Sequence, residues 1–299
     1  VSQTSHTPTA GGDHPRPSGA VQGPQRRLRL AAYPSLLAMP ALLLLIAAMG
    51  YPLLTVTLRS FSDPAWGLQN YVWFFSTPVN VTVLWRTFSI AAWVTIVCVI
   101  AAYPYAYLMT AVGPRLRLVL ILCVLVPFWV SGVVRTLAWV ILLQDSGIIN
   151  SVIRLLGFDG VKLIRTQTGV VIGMAQVLLP FMILPLYSVM RGIDLRLVQA
   201  ARSLGARPAR AFLQIYLPLS LPGVFAGAII VFILSLGFYI TPALLGSTML
   251  STLVQSQVLS LLNWGRGGAM GGVLLVATFV LLALAAPLMR QRHKQASRS

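Results

Sequence analysis

The apolar positions of this chain fall in long blocks rather than in alternation, most plainly at Pro34–Leu58 and Thr168–Met190. A helix crosses the hydrocarbon core of a bilayer with about 20 mostly apolar residues. The pattern predicts six such spans, at 31–58, 86–110, 118–143, 168–190, 221–246 and 268–289. Prolines 34, 40, 52, 104, 127, 180, 185 and 242 lie inside them. Each would disrupt a soluble helix, whereas a membrane helix tolerates proline where neighbours satisfy the freed carbonyls. The same interruptions point to broken helices around a cavity. Gly223 with Gly227, and Gly268 with Gly272, stand four apart and fit close helix packing.

The flanks read differently. Residues 1–25 are rich in Thr, Ser, Pro and Gly without periodicity, which predicts a disordered cytoplasmic tail. Residues 26–290 form the predicted membrane domain, and 291–299 a second cytoplasmic tail. The first apolar block exceeds the roughly 7–15 residues of a signal-peptide core and is read as a retained span. Position 1 is Val, which fits an alternative or displaced start.

Composition narrows the class. Of 299 residues, 57% are hydrophobic and 9% charged, against roughly a quarter charged in soluble domains. A soluble enzyme, a disulfide-rich secreted scaffold and a disordered chain are excluded. Cys98 and Cys123 sit within apolar runs as small core residues, and no disulfide is predicted. The chain carries 22 Lys and Arg against five acids, all Asp (13, 63, 145, 159 and 194). In a soluble protein a net charge of +17 would suggest nucleic acid. Between membrane spans, basic loops set orientation instead, so the partner is the lipid bilayer and not nucleic acid. With the N-terminus inside, fifteen basic residues fall on the cytoplasmic side and six outside, with Arg135 within a span. Both termini are therefore predicted to be cytoplasmic.

One connection is unlike the rest. Residues 191–220 form a cytoplasmic loop with helical character, around Gln199-Ala200-Ala201-x3-Gly205-x9-Ile215-x-Leu217-Pro218. A short helix running to Leu204 is stopped by Gly205, which tolerates a left-handed cap. Pro208 then suits the first turn of a second helix. Ala200 and Ala201 leave a surface that another protein can approach closely.

This spacing resembles the EAA motif of bacterial ABC-importer permeases, with Ala200, Ala201, Gly205, Ile215, Leu217 and Pro218 at family positions. Leu204 and Ala206 complete the candidate coupling loop. The family's Glu is Gln199 here, which keeps length and hydrogen bonding but loses the charge. Tyr103-Pro104-Tyr105-Ala106-Tyr107-Leu108, Pro127-Phe128-Trp129-Val130-Ser131, Arg135-Thr136-Leu137-Ala138-Trp139 and Gly237-Phe238-Tyr239-Ile240-Thr241-Pro242 resemble the spermidine/putrescine-type branch. The resemblance covers about residues 30–290. It implies an all-α membrane protein of six transmembrane helices with the type I importer fold. It also implies a second, related permease, two ATPase subunits that bind ATP and Mg²⁺, and a periplasmic substrate-binding protein. In the family, this loop docks into a groove on the ATPase.

The chain itself lacks the chemistry of an engine. A phosphate-cradling loop ends in Gly-Lys-Ser/Thr, but Lys162 follows Val161 and Lys294 follows His293. No cofactor is expected in this chain. His6, His14 and His293 lie in or near the tails, so neither a membrane metal site nor a Ser/His pair is expected. No acid lies inside a span, which weighs against the alternative of an ion-coupled secondary transporter.

Candidate residues for the translocation path follow from polarity and helical spacing. Phe128, Ser131, Arg135 and Trp139 are predicted to share one face, with Gln176 and Tyr187 on the fourth span. On the fifth, Ser235 aligns with Tyr239, and Gly237 with Thr241. Three readings of Arg135 stand at this point: a path residue, a side chain satisfied by helix-end carbonyls, or one that lies nearer the outer interface. Aromatic stripes more often serve packing or interface belts than ligand boxes. A polyamine would favour carboxylates in the path, and this chain offers none there. Opines, other small organic solutes and oxyanions fit the same branch.

Overall fold

The structure is a computed structural model, describing the backbone of residues 32–296 and the side chains of residues 39–284. The tail expected at 1–25 lies outside the described residues, as does the side chain of His293. Among the described residues every regular element is helical. In order they are α1 (Ala32–Ser62), α2 (Gln69–Ser76), α3 (Pro78–Ala111), α4 (Pro114–Leu125), α5 (Gly132–Leu142) and α6 (Ile148–Leu155). There follow α7 (Gln167–Arg191), α8 (Leu195–Ser203), α9 (Pro208–Gly237), α10 (Ile240–Leu245), α11 (Leu250–Gln255) and α12 (Trp264–Ala296). Five helices are long and apolar enough to cross a bilayer, and α4 with α5 make a sixth if that bent pair is one span.

The chain divides into two compact units between Leu54 and Thr55. The first contributes the described stretch Ala32–Leu54 of α1, where Leu42, Leu43, Leu44, Leu45 and Ile46 are all exposed. The second holds the packed body. Its core is α3 against α7 against α9. On α3, Ile90, Val94, Cys98, Ala102, Ala106 and Met109 are buried at steps of four and three, a single ridge along one face. Opposite lie Val170, Met174, Leu178, Met182, Leu186 and Met190 of α7. The outer surfaces stay apolar: Trp85, Trp93, Ile100, Leu118 and Phe279 are exposed. A helix apolar on every side belongs in lipid or in a protein core.

Glycines set the closest approach. A Cβ at Gly227 would stand 2.6 Å from Met182 Sδ and 3.1 Å from its carbonyl, and one at Gly223 would stand 2.9 Å from Val189 Cβ. The Gly223/Gly227 spacing therefore brings α9 onto α7, as the sequence predicts. At the other pair, a Cβ on Gly268 would lie 2.7 Å from the Val56 carbonyl, and one on Gly272 would lie 3.2 Å from Tyr71 Oη. Nearby, Asn70 donates to the carbonyls of Ser60 and Asp63 at 2.9 and 2.7 Å, fixing the chain between α1 and α2.

Two of the predicted spans are broken. The third turns through 99° between the helical stretches Pro114–Trp129 and Gly132–Leu142. Pro127 supplies no N–H, Val126–Trp129 tighten into a 3₁₀ turn, and Val130 is extended. The fifth ends at Gly237, with Phe238 extended. Pro242 cannot donate to the Phe238 carbonyl, and Ser251 Oγ does so instead at 2.8 Å. Pro104, Pro180 and Pro185 by contrast lie inside continuous helices. The fifth span also begins earlier than residue 221, because the second helix of the 191–220 loop is the start of α9 itself.

Candidate functional site

The 191–220 loop is built by local rules. Asp194 caps α8, its Oδ1 accepting from Arg196 N at 2.9 Å. At the other end Gly205 takes φ +90°. Gly205 N donates to Arg202 O and Ala206 N to Ala201 O, each at 3.0 Å, the paired bonds of a Schellman cap. Arg207 is extended and Pro208 opens the next helix. The helix–glycine–proline–helix pattern expected from sequence is thus present in the backbone.

The side chains sort by face. Gln199, Ala200, Leu204 and Gly205 are exposed, while Ala201 and Ala206 are half-buried. Leu204 is 89% exposed at the end of α8. Arg191, Arg196, Arg202, Arg207 and Arg210 are all exposed, against the single acid Asp194. A groove of about 620 Å³ beside the turn is lined by Gly205, Arg207, Ala209, Arg210, Leu213 and Gln214. The loop is therefore a stiff, cationic, partly apolar protrusion. Inward, Ile193, Val198 and Phe212 pack on the main core.

Beyond the groove the helix widens. Phe212–Tyr216 form a π turn, with Leu217 N bonded back to Phe212 O. Ile215 and Leu217 are half-buried and Pro218 is exposed. Pro218 continues the helix because the wider turn has already displaced the bond its missing N–H would have made. The end of α3 is tied down alongside. Arg117 donates to the carbonyls of Met109 and Val112 at 3.0 and 2.9 Å, supplying donors that the helix terminus lacks.

The path candidates are rearranged by the two breaks. The face expected from Phe128, Ser131, Arg135 and Trp139 does not form, because the elbow at Pro127 divides it. Phe128 lies in the 3₁₀ turn and meets Phe181 of α7 edge-on at 5.2 Å. Ser131 is the N-cap residue of α5, and only Arg135 and Trp139 share that helix. Arg135 is half-buried, with Nε buried and without a hydrogen-bond partner among the described residues. Gln176 Oε1 on α7 is likewise buried and unpartnered.

On the fifth span, the break at Phe238 undoes both expected alignments. Ser235 is fully buried and donates to Val231 O of its own helix at 2.7 Å. Thr241 is fully buried and paired with Thr136 Oγ1 at 3.0 Å, joining α10 to α5. Tyr187 is also buried, at 9% exposure. All three are buried within the subunit. Tyr239, at 44% exposure, faces outward. Sequence reasoning missed the Thr136–Thr241 pair, since only the fold brings together two threonines 105 residues apart. Among the described residues no group of His, Cys, Asp and Glu is arranged to hold a metal ion.

A helical membrane body carrying one stiff exposed loop defines the class, a polytopic permease subunit. Residues 99–292 match the binding-protein-dependent transport system inner membrane component family, and the chain belongs to it. It is 33% identical over 222 residues to the spermidine/putrescine transport system permease protein PotB of Haemophilus influenzae, covering 73% of this chain and 76% of that protein. The PotB protein of Escherichia coli K12 is 29% identical over 239 residues, covering 78% and 86%. Among solved structures, a bacterial alginate ABC transporter in complex with its alginate pentasaccharide-bound periplasmic protein superposes with a TM-score of 0.71 at 15% identity, over 89% of this chain and 96% of that one. The fold is that of a type I ABC-importer permease. The chain is a multi-pass inner-membrane transport subunit, and its family works with ATPase and binding-protein partners.

Proposed function

We propose that this chain is one of two permease subunits of an ATP-driven importer, paired with a related, non-identical permease. Of two ATPase subunits, which bind the ATP and Mg²⁺, one docks on loop 191–220, and a periplasmic binding protein delivers the solute to the opposite face. The observation that carries this reading is the loop: α8, closed by Gly205, exposes Gln199, Ala200 and Leu204 and leads through Pro208 directly into a membrane span. Both termini lie on the cytoplasmic side, a reading supported by the excess of basic residues in the segments that share it. Closure of the ATP-bound dimer moves the loop as a unit and rocks the spans to open the path outward. Hydrolysis returns them to the inward-facing state.

The solute is of polyamine type, a reading supported by relatives named for spermidine and putrescine. A desolvated ammonium needs an opposite charge or strong acceptors. None of the described spans contains an acid, so the partner permease supplies the carboxylates. A second reading, a solute bearing a carboxylate or another anionic group, is favoured by the unpartnered Arg135 Nε.

Proteoliposomes holding the whole complex separate these readings. Spermidine uptake should require ATP on the loop side and ignore an imposed ion gradient. Gradient-driven uptake without ATP would overturn the importer assignment. Arg135→Ala should leave spermidine uptake near the parent level. If the solute is anionic, the loss of a charge-assisted hydrogen bond should lower its uptake by roughly tenfold or more.

A further inference from the structure

Resting on the permease reading above, we propose that Tyr103, Tyr107, Phe212 and Tyr216 are positioning residues for transport, an aromatic clasp that carries the movement of the 191–220 loop into α3. The observation behind it is where the loop joins its span. Leu217 N reaches back to Phe212 O across the π turn, and Pro218 has no N–H to offer the carbonyls of Leu213 or Gln214. Of the two junctions by which the loop meets its spans, at Arg191 of α7 and at the start of α9, the backbone ladder is thinned at the second. A loop that moved there by itself would bend the π turn and leave the rest of α9 behind.

Side chains from α3 close over that junction. Phe212 and Tyr216 stack with ring centroids 5.5 Å apart and planes at 17°. Tyr107 meets both edge-on, at 5.6 and 5.3 Å, and Tyr103 meets Phe212 edge-on at 6.1 Å. Edge-to-face pairs have a preferred geometry, so they hold orientation as well as contact. Two polar links bracket the rings. Tyr103 Oη lies 2.9 Å from Ser220 Oγ, and Thr110 Oγ1 lies 3.4 Å from Tyr216 Oη. Tyr103, Tyr107 and Thr110 stand at helical spacing on one face of α3. The clasp therefore grips the chain from Phe212 to Ser220, spanning the stretch where the ladder is thin. Tyr216 is buried at 2% exposure, whereas Tyr107 keeps 42%.

The test measures solute imported per ATP hydrolysed in the reconstituted complex. Phe212→Ala and Tyr107→Leu should each retain the ATPase subunits and ATP hydrolysis while importing roughly tenfold less solute per ATP, the factor equivalent to one or two aromatic edge contacts. Tyr107→Phe, which keeps the ring, should restore the parent ratio. Tyr107 is partly exposed, so its variant leaves no buried void and keeps the test open should Phe212→Ala fail to fold. A parent-like ratio in Tyr107→Leu would overturn the inference. So would loss of the ATPase subunits from that variant, because the rings would then only shape the docking surface. A parent complex that imports nothing with ATP would overturn the transport reading itself, and this inference with it.

Discussion

Gly205→Val should abolish uptake while leaving the protein inserted and folded in the membrane. Gly205 holds φ +90°, and a Cβ placed there would meet nothing within 4 Å. The penalty is therefore conformational rather than steric crowding: a β-branched residue in the left-handed region costs roughly 1–2 kcal/mol. That strain falls on the Schellman bonds from Gly205 N and Ala206 N, which set the direction in which Leu204 points. With the cap open, the loop loses its shape and the ATPase loses its handle. Stimulated ATP hydrolysis and uptake should fall together, by roughly 5- to 30-fold from this strain alone, since each 1.4 kcal/mol is tenfold in an equilibrium. Gly205→Asn, which tolerates the left-handed conformation, should keep most of both. Normal uptake in the valine variant would show that the loop's shape does not matter for coupling.

Gly227→Leu should have the opposite signature, a failure of the fold itself. Its Cβ would press on Met182 Sδ at 2.6 Å, on the Met182 carbonyl at 3.1 Å and on its Cα at 3.3 Å. The sulfur can swing away but the backbone cannot, so α9 must leave α7. Overpacking costs about 1–3 kcal/mol where neighbours adjust, and more where backbone blocks them. The purified variant should unfold at a clearly lower temperature in detergent, and little should reach the membrane in folded form. Ala226→Leu, on the exposed side of the same helix, should unfold at the parent temperature. Equal stability of the two variants would refute the close α7–α9 contact.

The loop was legible in the sequence because its determinants are local. Asp194, Gly205 and Pro208 each fix a cap or a first turn within a few residues, and the backbone obeys them. The spans were legible as apolar blocks, but their continuity was not. Pro104, Pro180 and Pro185 stay within helices while Pro127 and Pro242 sit at breaks. What differs is who satisfies the freed carbonyl, and the donor for Phe238, Ser251 Oγ, comes from thirteen residues away. The path candidates suffered from the same blindness. Ser235 and Thr241 are small polar residues in apolar helices, and sequence cannot separate one lining a path from one bonded inside the packing. Arg135 stood out by charge alone, and the fold added its unpartnered Nε. The aromatic clasp was half visible, as Tyr103, Tyr107, Phe212 and Tyr216 at steps of four, but nothing local said that the two pairs face each other.

The central claim is that loop 191–220 is the handle by which an ATPase drives this permease. Leu204, the most exposed side chain of the cap, offers the most direct test in a Cys123→Ser background, where the remaining Cys98 is buried. In the assembled complex, Leu204→Cys should join to the ATPase subunit through a short thiol-to-amine cross-linker, while Leu155→Cys on the predicted outer side should not. A complex that imports solute with ATP yet never cross-links at Leu204→Cys, or whose Leu204→Cys reacts with an impermeant reagent from outside the cell, would contradict the account.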